Sequence, residues 1–322
     1  MTSNLWRLGA IDLADKIRCR EVSARESTQG VLARIAEVNP RINALPFVMA
    51  KAALAAADAA DAAQARGDAL GPLHGVPVTI KINIDVAGMA TTDGADALKH
   101  NIASNDSPWV AALRDAGAIA HGNDYGGSVR YPAWACGVVG LRSTVGRIPS
   151  YKGSAPNRIH SNQQMSVQGP RTRHVADARL ALQVMSRGSA LDPQWAPVPL
   201  GFPGHELPAK VAGFKGWHGS AAVPRVTDAL DQAANWLTDA GYTVELAEPP
   251  HFEEAAVLHR QRVINDLRRA GIPAMMQMGD AALRHSLTHY RACPARRCRP
   301  AWWMACRWGC NGWPHVSART CG

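Results

Sequence analysis

The sequence predicts an α/β protein, and three observations support this class. Residues 211–246 show the order strand, helix and strand, with the helix ending at Gly241, which is typical of α/β folds. Upstream, apolar residues at helical spacing and an alanine-rich run predict several further helices. The chain has 322 residues, of which 47% are hydrophobic, so it is long and apolar enough to bury a sizeable core.

The first part of the chain predicts a helical scaffold with one short strand, at Leu45–Val48. Helix starts and stops follow from capping residues and from glycine or proline. Helices are predicted at 10–17, from Ser23 as N-cap to Asn39-Pro40, at 50–66 with Gly67 as the stop, and at 107–116 with Ser107 as cap and Pro108 in the first position. Further on, amphipathic helices are predicted at 175–185, 253–270 and 273–290.

Lys81 lies in the apolar run Val76–Ile84, which we predict to be a buried strand. Lysine is rarely buried without a partner. Either its ammonium group extends to the surface, or it is held inside for chemistry. In the second case desolvation lowers the pKa of the amine, so that the neutral amine can accept a proton near neutral pH.

A serine on a glycine turn, Gly126-Gly127-Ser128, is followed two residues later by Arg130. Successive N–H groups of a glycine turn can converge on one anion. The hydroxyl of Ser128 and these N–H groups would then address the same carbonyl, which is the geometry that acyl transfer requires. By itself, a Gly-Gly-Ser turn is more often only a turn.

Two long blocks make this turn more informative: GPLHGVPVTIK at 71–81 and GGSVRYPAWACGVVG at 126–140. At these residues the chain resembles the amidase signature hydrolases, from about Leu5 to about Tyr290. The resemblance implies a mixed, twisted central sheet covered by helices, and amide hydrolysis through a serine acyl-enzyme without metal or cofactor. It implies these roles: Ser128 as nucleophile, Lys81 as general base, Tyr125, Gly126 and Gly127 as oxyanion hole, and Asp124 and Arg130 as supporting residues.

One member of the family's Ser-Ser-Lys triad is absent. The family carries a cis-serine in a Gly-Gly-Ser-Ser-Gly-Gly motif, whereas here His121 passes almost directly into Asn123-Asp124. We therefore predict that several dozen family residues are deleted near 121–123 and that the sheet is incomplete. Ile82 also stands where the family usually carries aspartate. Weak or no amidase activity is expected, and lost interior strands predict homodimerisation or non-specific association.

Two other functions remain open: a catalytically dead remnant or binding protein, and an A-type component of a tRNA-dependent amidotransferase. Cys136 is an alternative nucleophile. Because the sequence offers no positioned histidine partner, we interpret it as a small core residue.

The formal net charge of +9 does not predict nucleic-acid binding. Much of the excess lies after Asp280, beyond which no acidic residue occurs, and the rest of the chain has no basic stripe interleaved with aromatic residues. No apolar window is long enough for a transmembrane helix, and residues 1–15 have no signal-peptide core. A cytoplasmic location and a small-molecule amide substrate are expected, with no nucleic-acid or membrane partner.

Residues 293–322 differ from the rest of the chain. They hold five of the seven cysteines and four of the ten tryptophans, with five arginines and no acid. The cysteines do not have the spacing of a structural zinc site. We interpret this segment as a non-native tail, such as an out-of-frame reading of GC-rich coding sequence produces, and residues 1–292 as the amidase signature domain.

Deleting residues 293–322 is expected to leave the melting temperature unchanged and to improve solubility, because the segment lacks helical or strand periodicity and carries four tryptophans. Thermal unfolding and sedimentation of the full and shortened chains measure both effects. A clear fall in melting temperature, or stoichiometric zinc in the full chain, would contradict the interpretation.

Overall fold

The fold is described from a computed structural model, which describes residues 2–117, 121–124, 128–154, 164–201, 210–217, 220–221, 223–247 and 250–269. Short 3-10 helices lie at Thr2–Arg7 and Asp96–Leu98. The helices are α1 (Ala10–Arg18), α2 (Ala24–Ile42), α3 (Ala50–Arg66), α4 (Pro108–Ala116), α5 (Arg130–Cys136), α6 (Val175–Met185), α7 (Pro224–Asp239) and α8 (Phe252–Arg269). The strands are β1 (His121–Asp124), β2 (Val139–Gly140), β3 (Val167–Thr172), β4 (Lys210–Gly213), β5 (Gly216–Trp217), β6 (Ser220–Ala221) and β7 (Thr243–Leu246).

Helix α2 begins at a capping box, as Ser23 predicts. The hydroxyl of Ser23 accepts a hydrogen bond from the Glu26 N–H at 3.0 Å, and the Glu26 carboxylate accepts one from the Ser23 N–H at 2.9 Å. The hydrogen bonds from the main chain and then from the hydroxyl of Ser23 lower the pKa of Glu26. Asp61 of α3 adds a 2.7 Å bond from the Ala24 N–H, so α2 and α3 meet at this cap.

Replacing the cap with Ser23→Ala is expected to lower the free energy of unfolding by about 1 kcal/mol, because the N–H of Glu26 loses its acceptor. Urea unfolding followed by circular dichroism measures the change. Ser104→Ala, at an exposed serine outside any helix, is the matched control and should change stability by less than about 0.5 kcal/mol. Equal unfolding midpoints for the two variants would show that the capping box contributes nothing.

The other predicted helices through residue 269 are also confirmed. Helix α3 ends at Gly67, whose φ of 82° is left-handed, and α4 buries Val110, Leu113 and Ala116 as its spacing predicts. The predicted 175–185 and 253–270 helices are α6 and α8. The segments 273–290 and 293–322 lie outside the described residues.

One hydrophobic core joins α1, α4, α6 and β2. Trp109 of α4 is 1% exposed and is the largest side chain fully buried among the described residues. Around it pack apolar side chains of these elements and of the intervening loops: Leu13, Ile17, Leu73, Val76, Ile84, Val139, Leu141, Ile148, Leu182 and Met185. The loops that precede and follow β1 in the chain therefore rest on the same core.

Strand β3 lies between β1 and β2 and is antiparallel to both. Its first four residues pair with β1, from Asp124 opposite Val167 to His121 opposite Pro170. Its last two pair with β2, where Val139 lies opposite Thr172. Farther along the chain, β4, α7 and β7 form a parallel βαβ unit in which Lys210 pairs with Thr243, so the predicted strand, helix and strand are confirmed.

Three sequence predictions in the first half are wrong in detail. Leu45–Val48 is not a strand; Phe47 is 59% exposed and the segment has no strand partner among the described residues. Val76–Ile84 is not a regular strand either, since only Ile80 has a bridge and Val78 is 39% exposed. Ser107 occupies the N-cap position of α4, but its side chain makes no capping hydrogen bond.

Candidate active site

Ser128 lies on an exposed turn between β1 and α5. The residue after it, Val129, is fully buried and its carbonyl accepts from the Ala133 N–H at 3.3 Å, in the first turn of α5. On the other side, Asp124 is held by its pairing with Val167 of β3. The serine is therefore presented to solvent by a segment that is anchored on both sides.

The CGVVG part of the second block has a structural role. Gly137, at φ 65°, ends α5, and the Val138 N–H donates to the Ala133 carbonyl at 2.9 Å. A Cβ on Gly140 would lie 2.6 Å from the Ala133 Cβ and 2.8 Å from the Val129 carbonyl oxygen. Only glycine at 140 therefore lets α5 lie this close to β2, which fixes where the helix and the serine before it sit.

The GPLHG part of the first block is also structural. The Leu73 N–H donates to the Ala116 carbonyl at the end of α4 at 2.8 Å, and His74 Nε2 lies 3.0 Å from the Ala60 carbonyl of α3. A Cβ on Gly117 would lie 2.5 Å from the His74 Cα. This loop joins α3 to α4, and it sets the starting point of the segment that leads to Lys81.

Lys81 is half-buried and begins a turn rather than lying in a buried strand. Its carbonyl accepts from the Ile84 N–H at 3.0 Å. Ile80 and Ile84 on either side pack on the same hydrophobic core as Val139 of β2. The Lys81 turn and the Ser128 turn thus belong to one packed unit.

The remaining predicted site residues lie partly or wholly outside the described residues. Tyr125, Gly126 and Gly127, the predicted oxyanion hole, lie wholly outside them. Asp124 is described by its main chain alone, and Arg130 is the half-buried first residue of α5. The support that Asp124 and Arg130 give to the turn stays a prediction.

The interpretation of Cys136 as a core residue is wrong. It is an exposed free thiol at the last position of α5. The inward position of this short helix is taken by Ala133, which is 2% exposed, so the apolar neighbours of Cys136 in sequence do not bury it.

Sequence reasoning missed a buried carboxylate four residues after Lys81. Asp85 is 2% exposed and accepts hydrogen bonds from Thr91 and Ser154. An acidic residue between Ile84 and Val86, inside an apolar stretch, was the available signal.

A cavity of about 230 Å³ lies away from this site, between β4, α7 and β7. No residue of the Lys81 or Ser128 turns lines it. No helix in the described ranges combines the length and the apolar character needed to cross a bilayer.

Comparison with known proteins decides the family. The amidase family profile matches residues 26–120 and 118–271, which is well over half of the chain. The chain belongs to the amidase family. Solved amidase structures have the same fold: a bacterial aryl acylamidase of the amidase signature family superposes with a TM-score of 0.70 at 20% identity, over 88% of this chain and 74% of that one. The predicted α/β fold class is thereby confirmed.

Curated amidase relatives are longer than this chain. An indoleacetamide hydrolase of Bradyrhizobium diazoefficiens is 39% identical over 299 residues, which cover 76% of this chain and 57% of the relative. The A-type component of the glutamyl-tRNA(Gln) amidotransferase of Moorella thermoacetica is 29% identical, over 78% of this chain and 62% of the relative. An amidase of Pseudomonas putida is 30% identical, over 86% of this chain and 72% of the relative. The chain thus spans less than two thirds of the first two.

Proposed function

We propose that this amidase-family chain hydrolyses a carboxamide to a carboxylate and ammonia or an amine, through an acyl-enzyme on Ser128. The observation that carries the proposal is the exposed position of Ser128 on a turn whose two sides are anchored by β3 and by the buried Val129. Relatives named amidase and indoleacetamide hydrolase support the same reaction class.

The proposed reaction needs no cofactor. The Ser128 oxygen attacks the amide carbonyl while its proton passes to the Lys81 amine, directly or through one intermediary. The tetrahedral oxyanion accepts hydrogen bonds from main-chain N–H groups of residues 125–128. The proton then returns to the leaving nitrogen, ammonia or amine departs, and water hydrolyses the ester to release the carboxylate.

We further propose that the chain lacks an internal segment at residues 121–123 and that its activity is weak for this reason. The two profile matches meet at residues 118–120, next to this join. Because the 299 aligned residues cover only 76% of the 322 in this chain, about 54 alignment positions of the indoleacetamide hydrolase have no counterpart here. Without a hydroxyl to relay the proton, the oxyanion hole and binding alone retain about 10³-fold acceleration over water.

For the substrate we propose an arylacetamide, because the relative at 39% identity is named an indoleacetamide hydrolase. A role as the A-type component of an amidotransferase is the second candidate, supported by the relative at 29% identity. A cytoplasmic location and self-association of the incomplete sheet also belong to the proposal.

The experiment is to measure ammonia release from indole-3-acetamide, phenylacetamide and hexanamide, and amine release from an anilide of the same acid. We expect slow but measurable turnover, fastest with the arylacetamides. Equal rates with all the amides would contradict the substrate class, and no release above the uncatalysed rate with any of them would contradict the hydrolase proposal and leave the dead-remnant function.

A further inference from the structure

The buried carboxylate of Asp85 links three segments of the chain. Its Oδ1 accepts from the Thr91 hydroxyl at 2.7 Å and from the Ser154 hydroxyl at 2.5 Å, and its Oδ2 accepts from the Ser154 N–H at 2.9 Å. Two residues beyond Thr91 and two before Ser154, Lys152 donates to both oxygens of Asp93, at 3.1 and 2.9 Å. We call these five residues the Asp85 clasp.

The clasp is built into the interior rather than added at the surface. Asp85 is 2% exposed and Thr91 is fully buried. Among the described residues, no Lys, Arg or His lies within ion-pair distance of the Asp85 carboxylate, so its burial is offset by neutral hydrogen bonds. Such a carboxylate is costly for stability alone, which makes a role in geometry worth testing.

Asp85 also controls the path of the main chain next to Lys81. The Ile84 N–H closes the turn onto the Lys81 carbonyl at 3.0 Å, and the Asp85 carbonyl accepts from the Ser107 N–H at 3.0 Å. Ser107 is the residue before α4, which packs in the hydrophobic core. Lys81 is thus one tight turn away from a residue fixed by both its side chain and its main chain.

We propose that Asp85 is a positioning residue that holds Lys81 in place for proton transfer with Ser128, by fixing the turn 81–84 against α4 and the 150–154 loop. This role rests on the proposed function, in which Lys81 is the base. Asp85 does not touch the reacting atoms and acts only through Lys81.

The test is a double-mutant cycle read by the rate at which a fluorophosphonate labels Ser128 in the full chain. In this reaction the serine oxygen forms a bond to phosphorus, fluoride leaves and the hydroxyl proton goes to the base. The variants are Asp85→Asn, Lys81→Ala and the double variant, and Asp177→Asn is the control. Asp177 of α6 is also a buried carboxylate, 5% exposed, that accepts a main-chain N–H, from Ile11 at 3.0 Å.

We expect Asp85→Asn to slow labelling about 10-fold in the parent chain and to have less than about a 2-fold effect when Lys81 is already alanine. Asp177→Asn should not slow labelling in either background. A purely structural role for Asp85 predicts the same slowing with and without Lys81, and that result would overturn the proposal. If Asp85→Asn does not fold, Ser154→Ala removes only one of the three side-chain hydrogen bonds and is expected to show the same pattern with a smaller factor.

The outcomes separate this inference from the function beneath it. Slower labelling in Lys81→Ala, together with no effect of Asp85→Asn, would sink the positioning role alone. No effect of Lys81→Ala, or no labelling of the parent chain, would sink the assignment of the base or of the nucleophile, and the positioning role with it.

Discussion

Ser128→Ala is expected to abolish fluorophosphonate labelling and to lower amide turnover by about 10³-fold, to the uncatalysed rate. The reason is that the proposed acyl-enzyme cannot form without the Ser128 oxygen. The neighbouring residue Val129 is buried, whereas Ser128 is exposed, so the substitution leaves the packing of α5 intact. Ammonia release from indole-3-acetamide and mass spectrometry of the labelled peptide measure the two effects.

The matched control for the nucleophile is Ser104→Ala, which removes another exposed serine near the Lys81 segment in sequence. It should label and turn over like the parent chain, with an unchanged melting temperature in both variants. Activity that survives Ser128→Ala would show that another group is the nucleophile. The exposed thiol of Cys136 would be the next residue to substitute, since it lies on the helix that follows the serine.

Insertion of the missing segment is expected to raise amide turnover by about 10³-fold, because it restores a relay between Lys81 and Ser128. The segment would be taken from the Bradyrhizobium diazoefficiens indoleacetamide hydrolase and placed between Asn123 and Asp124. Its full set of strands should also give the sheet the partners that the short chain lacks. Steady-state kinetics on indole-3-acetamide, with light scattering to follow association, measures both effects.

The control insertion carries alanine in place of its cis-serine, so it restores the strands but not the relay. We expect this chain to be monodisperse yet as slow as the parent. If it matched the intact insertion in rate, the gain would come from folding and the relay would be unnecessary. Parent turnover near 10 s⁻¹, typical of an ordinary enzyme, would contradict the prediction that the chain is weak.

Much of the helical scaffold was predictable from local signals. Ser23 with Glu26, and the glycine at 67, fix helix ends through hydrogen bonds and backbone geometry that involve neighbours in sequence. Such signals do not depend on the rest of the fold. Helix α4 was predictable for the same reason, together with the inward face of Val110 and Leu113.

Strands and burial were less predictable, because they depend on partners distant in sequence. Leu45–Val48 is apolar but has no neighbouring strand in the described ranges, and Val76–Ile84 turns at Lys81 instead of extending. Cys136 has apolar neighbours in sequence, but the inward side of its short helix is occupied by Ala133. At the site, Ser128 and Lys81 were predictable from the two sequence blocks, whereas Asp85 was not, because its donors Thr91 and Ser154 meet it only in the fold.

The central position of β3 has a consequence for how the serine turn is lost when the protein opens locally. The strand before the turn and the strand after α5 each hydrogen-bond to β3, through Asp124 with Val167 and through the Leu141 N–H with the Pro170 carbonyl. Detachment of β3 therefore releases both flanks of the turn in one event, and amide hydrogens on β1 and β2 share that opening as a route of solvent exchange. The geometry around Ser128 is then an all-or-none property of a cooperative unit, and a substitution in β3 that favours opening reduces the population of competent molecules rather than the rate of each one.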